Sequence, residues 1–332
     1  MQKKNVHKFS VAPMLKYTDR HCLFFYRQLT KKTFLYTEMI TTYELINKKN
    51  LFSKKQVMNN APIAIQLAGN NYIHFKKCAK IAYFMGFNEI NLNIGCPSQH
   101  AQSGKFGVYL MNTPNIVYHC IKTIYFTVPI PISVKIRIGT NKNNNYQFLK
   151  NFIQQVSKNQ YCIKFIIHAR IADLQLNSPK KNRNVPKLNY QYVYQIKKDF
   201  PHLRIILNGG IKSILEIQKH LKHVDGIMMG REIYKNPLLL CKIDKEIFSR
   251  KKKFNFKKFL KKMLQYTEKE VKKNTKILHI MKHMLNIFYK QPYSKKWKQY
   301  ILKKIHHKND AHNLFTKIDK IFNKKNHNII DN

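Results

Sequence analysis

The chain has 332 residues, 44% of them apolar and 12% aromatic, enough to bury a full core and too apolar for a disordered chain. With 62 Lys and Arg against 16 Asp and Glu its formal net charge is +46, a surface that attracts polyanions, although abundant Lys, Asn and Ile also fit an AT-rich genome. The six cysteines show neither C-x-x-C nor zinc spacing, the N-terminus lacks the apolar core of a signal peptide, and no apolar run approaches the ~20 residues needed to cross a bilayer, so a reduced, cytoplasmic protein with no metal and no membrane partner is expected.

Strand and helix signals alternate along the first three quarters. The strand candidates are Phe9–Ala12, Phe34–Glu38, Ile63–Leu67, Glu89–Asn93, Ile132–Arg137, Phe165–His168, Arg204–Asn208 and Gly226–Met229. Most are runs of β-branched and apolar residues, as strands buried on both faces should be. Amphipathic helices are predicted between them at Tyr72–Phe84, Asn115–Phe126, Tyr146–Lys158, Tyr190–Lys198 and Ser213–Leu221. Such alternation predicts a (β/α)8 TIM barrel. An open dinucleotide-binding sheet would want a glycine-rich turn after strand one, where Pro13-Met14-Leu15 stand instead.

The pattern changes near Phe248. Past the linker Arg250-Lys251-Lys252-Lys253, helix-period apolar sets appear at Phe256/Phe259/Leu260/Met263, Ile277/Met281/Met284/Phe288, Trp297/Tyr300/Ile301 and Leu314/Phe315/Ile318/Ile321/Phe322. A small C-terminal α-helical bundle is expected, with residues 1–248 as the catalytic barrel and 249–332 as a basic helical domain.

TIM barrels carry their chemistry at the C-terminal strand ends. Those ends are Pro13-Met14, Glu38, Gln66, Asn91 and Asn93 with the loop Gly95-Cys96-Pro97-Ser98, Lys135 and Arg137, His168, Asn208-Gly209-Gly210 and Gly230-Arg231. The two glycine turns after strands seven and eight lie where this fold binds phosphate. Lys135 is costly to bury unless an anion meets it. A reduced flavin would supply one at N1 and O2, and a Schiff base is the competing use of such a lysine. Cys96, in a polar glycine-rich loop, suits a proton donor more than a nucleophile, its thiol having an ordinary pKa of about 8.5.

At these residues the sequence resembles the tRNA-dihydrouridine synthases, most closely the bacterial A branch, the tRNA-dihydrouridine(20/20a) synthases. The resemblance rests on Val11-Ala12-Pro13-Met14, Thr18-Asp19-Arg20-His21-Cys22, Leu35-Tyr36-Thr37-Glu38-Met39, Glu89 through Ser98, Phe165 through Arg170, Ser178-Pro179-Lys180 with Asn182-Arg183, Asn208-Gly209-Gly210-Ile211 and Gly230-Arg231-Glu232. These run in unbroken order from about Phe9 to Phe248, and Asn91–Ser98 is the most specific stretch.

The resemblance implies an oxidoreductase that binds FMN at the barrel mouth, takes reducing equivalents from NADPH and reduces the C5–C6 bond of uridine in the tRNA D-loop, at positions 20 and 20a. By motif Cys96 is the general acid. Pro13, Met14, Leu15, Gln66, Lys135, His168, Asn208, Gly209, Gly210, Gly230 and Arg231 hold FMN, and Asn93 contacts the substrate nucleotide. Lys180 and Arg183 match the branch's tRNA-contacting pair, and Lys295 and Lys298, flanking Trp297, match its second pair. The family usually has arginine at the second pair, and an acidic residue where this chain has Lys16. A monomer is expected, with tRNA its only macromolecular partner. A small-molecule flavin barrel would not need the basic helices. A phosphate-binding lyase and a non-catalytic RNA chaperone are the other readings, and neither would be yellow when purified.

Overall fold

The computed structural model describes residues 7–48, 51–176, 178, 180–292, 294–305 and 315–316. The Leu314, Ile318, Ile321 and Phe322 positions of the last helix pattern lie outside them, as does Pro179. Two compact units emerge: Met1–Leu15 with Phe34–Met229, and Lys16–Thr33 with Gly230–Asn332.

The first unit holds eight parallel strands: β1 Phe9–Val11, β2 Leu35–Thr41, β3 Ile63–Ala68, β4 Glu89–Ile94, β5 Ile132–Arg137, β6 Lys164–His168, β7 Arg204–Asn208 and β8 Gly226–Met229. Their order is β1-β8-β7-β6-β5-β4-β3-β2. The remaining edge closes through a bridge between Ser10 and Phe34, with Val11 N–H donating to the Phe34 carbonyl at 2.9 Å. This is the TIM barrel that the alternation predicts.

The helices in chain order are α1 Arg20–Leu29, α2 Thr42–Asn47, α3 Lys54–Asn59, α4 Tyr72–Met85, α5 Gln99–Ser103, α6 Pro114–Tyr125 and α7 Tyr146–Val156. They continue as α8 Tyr190–Asp199, α9 Ile214–His220, α10 Arg231–Lys235, α11 Leu239–Glu246, α12 Phe256–Val271, α13 Ile277–Met284 and α14 Ser294–Ile305. Helix α4 shows why they form. Asn71 caps it by accepting from Ile73 and His74 N–H, and Phe75, Cys78, Ala79 and Ala82 bury one face at helical spacing.

Alternation along the strands sorts the barrel. Outward-facing Ile90, Leu92, Val134, Phe165, Ile167, Ile205 and Leu207 are buried, each contributing about 1.5–3 kcal/mol if fully removed from water. Part of the interior is apolar, where Ala12, Phe34, Tyr36, Ala64, Ile166, Ile206 and Met228 form one cluster. The interior of β3 to β5 is polar instead, carrying Gln66, Glu89, Asn91, Asn93, Ser133 and Lys135.

Two sequence expectations need correction. Strand β2 does not end at Glu38 but runs to Thr41, because its register against β3 shifts between Tyr36 and Met39 and pairing resumes beyond the irregularity. The long loop after β4 contains α5 and a 3-10 turn, Gly107–Asn112.

In the second unit α1 packs against α11, α12 and α13. Arg20 pairs with Glu270 at 3.0 Å, and Phe24 stacks on Tyr266 with centroids 3.8 Å apart. The buried Trp297 of α14 donates from Nε1 to the Met284 carbonyl at 3.3 Å. No helix among the described residues is long and apolar enough to cross a membrane.

Candidate active site

The chain turns sharply after β4 because Asn93 holds it. The Asn93 side-chain oxygen accepts the backbone N–H of Gly95 at 3.2 Å and of Cys96 at 3.0 Å. Its amide nitrogen donates to Gln66 Oε1 at 2.9 Å, and Gln66 Nε2 donates to Asn91 Oδ1 at 2.7 Å. Asn93 is therefore engaged on both ends of its amide, a loop-holding role that the motif does not reveal.

Cys96 is half-buried, whereas Cys22, Cys78, Cys120, Cys162 and Cys241 are buried. Its Sγ–H donates to Ser98 Oγ at 3.3 Å, and Ser98 also caps α5 through Ala101 N–H. Burial pushes the Cys78, Cys120 and Cys162 thiols up to about 12, which leaves them inert at neutral pH. The loop cysteine is the one placed to exchange a proton with something outside the core.

Next to it β5 brings two cations to the barrel mouth. Burial, with Arg137 and Arg183 adding repulsion, pushes Lys135 down to about 7, and its Nζ donates to Asn208 Oδ1 at 3.1 Å. Arg137 is buried too and is pushed down to about 10, mainly by burial. Its Nε donates to the Gly95 carbonyl at 3.0 Å, and its Nη1 to the carbonyls of Ile171 at 2.7 Å and Asn182 at 3.0 Å. Among the described residues, neither forms a salt bridge with a carboxylate. Two desolvated cations without a counterion make a seat for an anionic ligand.

The turn after β7 is built on two glycines. Gly209 and Gly210 have φ of +116° and +76°. A Cβ on Gly209 would lie 2.6 Å from His168 Cδ2, and one on Gly210 2.5 Å from Leu188 Cδ1. Only glycine fits at these φ values and against these side chains. His168 closes β6 and is buried at the same turn, and Asn208 donates to the Met228 carbonyl at 2.8 Å.

The other expected residues fall as follows. Pro13 and Met14 are half-buried just after β1, and Leu15 is exposed. Gly230 and Arg231 begin α10. Lys180 and Arg183 are exposed around the 3-10 turn Lys181–Arg183. Lys295 is exposed and Lys298 half-buried on α14. Sequence reasoning assigned no role to Arg137 or to buried Asn182. Asn182 pins its own loop by donating to the Asp173 and Leu176 carbonyls at 2.7 and 3.2 Å and accepting from Asp173 N–H at 2.8 Å. Arg137 thereby ties the Cys96 loop to the segment bearing Lys180 and Arg183. A Lys-x-Arg pair on a strand was the available signal.

Residues 10–324 match the dihydrouridine synthase (Dus) family. The chain belongs to that family. A tRNA-dihydrouridine(20/20a) synthase from Vibrio cholerae serotype O1 is 43% identical over 300 residues, 90% of this chain and 91% of its own length. One from Escherichia coli K12 is 44% identical over 309 residues, 92% and 89% of the two chains. A solved structure of histamine dehydrogenase from Rhizobium sp. 4-9 aligns with a TM-score of 0.53 at 13% identity, covering 72% of this chain and 45% of that one. That likeness concerns the fold alone. The family membership makes the chain a dihydrouridine synthase-type enzyme, and it agrees with the resemblance carried by Asn91–Ser98.

Proposed function

We propose that the chain reduces uridine to 5,6-dihydrouridine in the tRNA D-loop, at positions 20 and 20a, with FMN as cofactor and NADPH as reductant. The observation that carries this reading is Cys96, the one cysteine of the six that is not buried, held by Asn93 beside the cationic mouth of the barrel. The names of the 43–44% identical relatives support the substrate.

The residues present fit a flavin. Lys135 and Arg137 are buried cations that form no salt bridge with a carboxylate among the described residues, and Gly209 and Gly210 make a turn with positive φ at the end of β7. Lys135, His168, Gln66, Asn208, Gly209 and Gly210 would hold the cofactor with Pro13, Met14 and Leu15, and Gly230 and Arg231 complete the set taken from the motif. FMN held there, with NADPH as reductant, would supply the hydride chemistry for uracil C6. Cys96 gives its Sγ proton to C5, and the thiolate is reprotonated from solvent. Ser98, accepting from Sγ, keeps the thiol aimed. Asn93 retains one amide hydrogen for the substrate while its oxygen holds the loop. Lys180, Arg183, Lys295 and Lys298 would grip the tRNA backbone as point charges.

The test is the dihydrouridine map of tRNA from cells with and without the gene. Full dihydrouridine at positions 20 and 20a in the deletion strain would overturn the reading. One observation favours a second reading: a lysine pushed to about 7 is also suited to a Schiff base. Borohydride trapping of Lys135 by a carbonyl compound, in a protein that purifies without flavin, would favour that chemistry.

A further inference from the structure

The amide that holds the Cys96 loop is the top of a hydrogen-bonded ladder inside the barrel. Below Asn91 the ladder continues: Asn91 Nδ2 donates to Ser133 Oγ at 2.7 Å, and Ser133 Oγ donates to Glu89 Oε1. Glu89 also accepts from Tyr36 OH at 2.9 Å and is salt-bridged through Oε2 to Lys164. Glu89, Asn91 and Ser133 are all buried, and they come from strands that pair in register.

Every bond in this ladder points the same way. A carboxylate can only accept, so Ser133 must give its single proton downward. Its lone pair then takes a proton from Asn91, whose oxygen must face Gln66 Nε2. Gln66 Oε1 in turn takes the proton of Asn93, and the Asn93 oxygen is left for the loop. Backbone N–H groups can only donate, so the top of the ladder demands the same polarity as the bottom. The amide orientations are thus set by chemistry at both ends.

We infer that Glu89 is a positioning residue: from the floor of the barrel it holds the Ser133–Asn91–Gln66–Asn93 ladder against reversal, and so keeps an acceptor presented to the loop that carries Cys96. This rests on the role proposed above for Cys96, and it adds a residue that never touches substrate.

Glu89→Gln tests it. With Lys164 facing one side, the new amide places its oxygen toward the ammonium and its NH2 toward Ser133. Ser133 then loses the acceptor below it, so the floor favours the reversed ladder while the loop favours the present one; in the reversed population Asn93 turns an N–H toward the N–H groups of Gly95 and Cys96. Asn93→Asp added to Glu89→Gln restores an acceptor at the loop whichever way the ladder runs.

The experiment measures amide hydrogen exchange at Gly95 and Cys96 in the purified, flavin-loaded protein. Glu89→Gln should speed exchange by roughly 10-fold. The double variant Glu89→Gln/Asn93→Asp should return it to within about 3-fold of the parent, a coupling that mere loss of packing would not produce. Unchanged exchange in Glu89→Gln, or a double variant no slower than the single one, overturns the inference. Should Glu89→Gln not fold because Lys164 is left buried alone, Ser133→Ala takes its place, cutting the ladder from Glu89 while keeping the Glu89–Lys164 pair. Faster exchange at Gly95 and Cys96 is expected there, and parental protection would overturn the inference. Single-turnover hydride transfer to tRNA, measured beside Cys96→Ala, separates the two levels. Normal transfer in Cys96→Ala sinks the role of the cysteine. Slow transfer there, with unaltered exchange in Glu89→Gln, sinks the ladder alone.

Discussion

The Lys135 ammonium lies 3.1 Å from the Asn208 side-chain oxygen, a neutral partner for a cation that burial has pushed down to about 7. Below pH 7 the native protein keeps this uncompensated charge, and above it the charge is lost. An anionic flavin would restore a counterion and raise the lysine's pKa. The sign follows: FMN binding should take up a proton between pH 7 and the higher bound-state value. FMN affinity should be flat below about pH 7 and weaken as pH rises above it. Flavin fluorescence titrations across pH, with calorimetry in buffers of different ionisation heat, measure both. Lys135→Met should remove the pH dependence as well as most of the affinity.

The turn after β7 tolerates no side chain. Gly210→Ala would place its methyl 2.5 Å from Leu188 Cδ1 and 2.8 Å from Tyr190 Oη, at a φ of +76°. Such strain costs roughly 1–3 kcal/mol. The variant should melt earlier and lose flavin on gel filtration, and an unchanged flavin content would place the cofactor elsewhere.

Cys96 should be the first thiol alkylated by iodoacetamide in the folded protein, since the other five are buried. Cys96→Ala should leave flavin reduction by NADPH at its normal rate. Reoxidation by tRNA should slow by about 10²–10⁴-fold, the contribution of a general acid. Cys120→Ala, at a buried thiol of α6, should affect stability and not reoxidation. Stopped-flow flavin absorbance in each half-reaction distinguishes the cases.

The basic pairs are tested by salt. Each lost phosphate contact should lower the slope of log affinity against log salt by roughly 0.7–0.9. Lys295→Ala/Lys298→Ala and Lys180→Ala/Arg183→Ala should each flatten the slope. Lys257→Ala/Lys258→Ala is the control, because both lysines are exposed at the start of α12. Lys273 is unsuitable, since it pairs with Glu270 at 3.4 Å. Equal slopes for all three variants would leave only the general field of a +46 chain.

By itself the sequence determined the barrel and pointed to the loop on which the proposed chemistry rests. Strands β5, β7 and β8 match their expected spans to the residue, because runs such as Ile132–Arg137 are apolar and β-branched and are bounded by turn residues. Cys96 and its loop were legible for the same reason: Gly95-Cys96-Pro97-Ser98 is a local motif that needs no distant partner to be read.

Only the tertiary structure decided what the interior polar residues do. Glu89, Asn91 and Ser133 look like polar interruptions in strands until closure brings β3, β4 and β5 into register. Arg137 finds Asn182, 45 positions away, and Lys164 finds Glu89, 75 positions away. Helix α1, absent from the sequence reading, meets α11, α12 and α13 more than 200 positions further on. Periodicity and turn chemistry act over a few neighbouring residues, whereas these partnerships form between side chains that share nothing along the chain until the strands close around them.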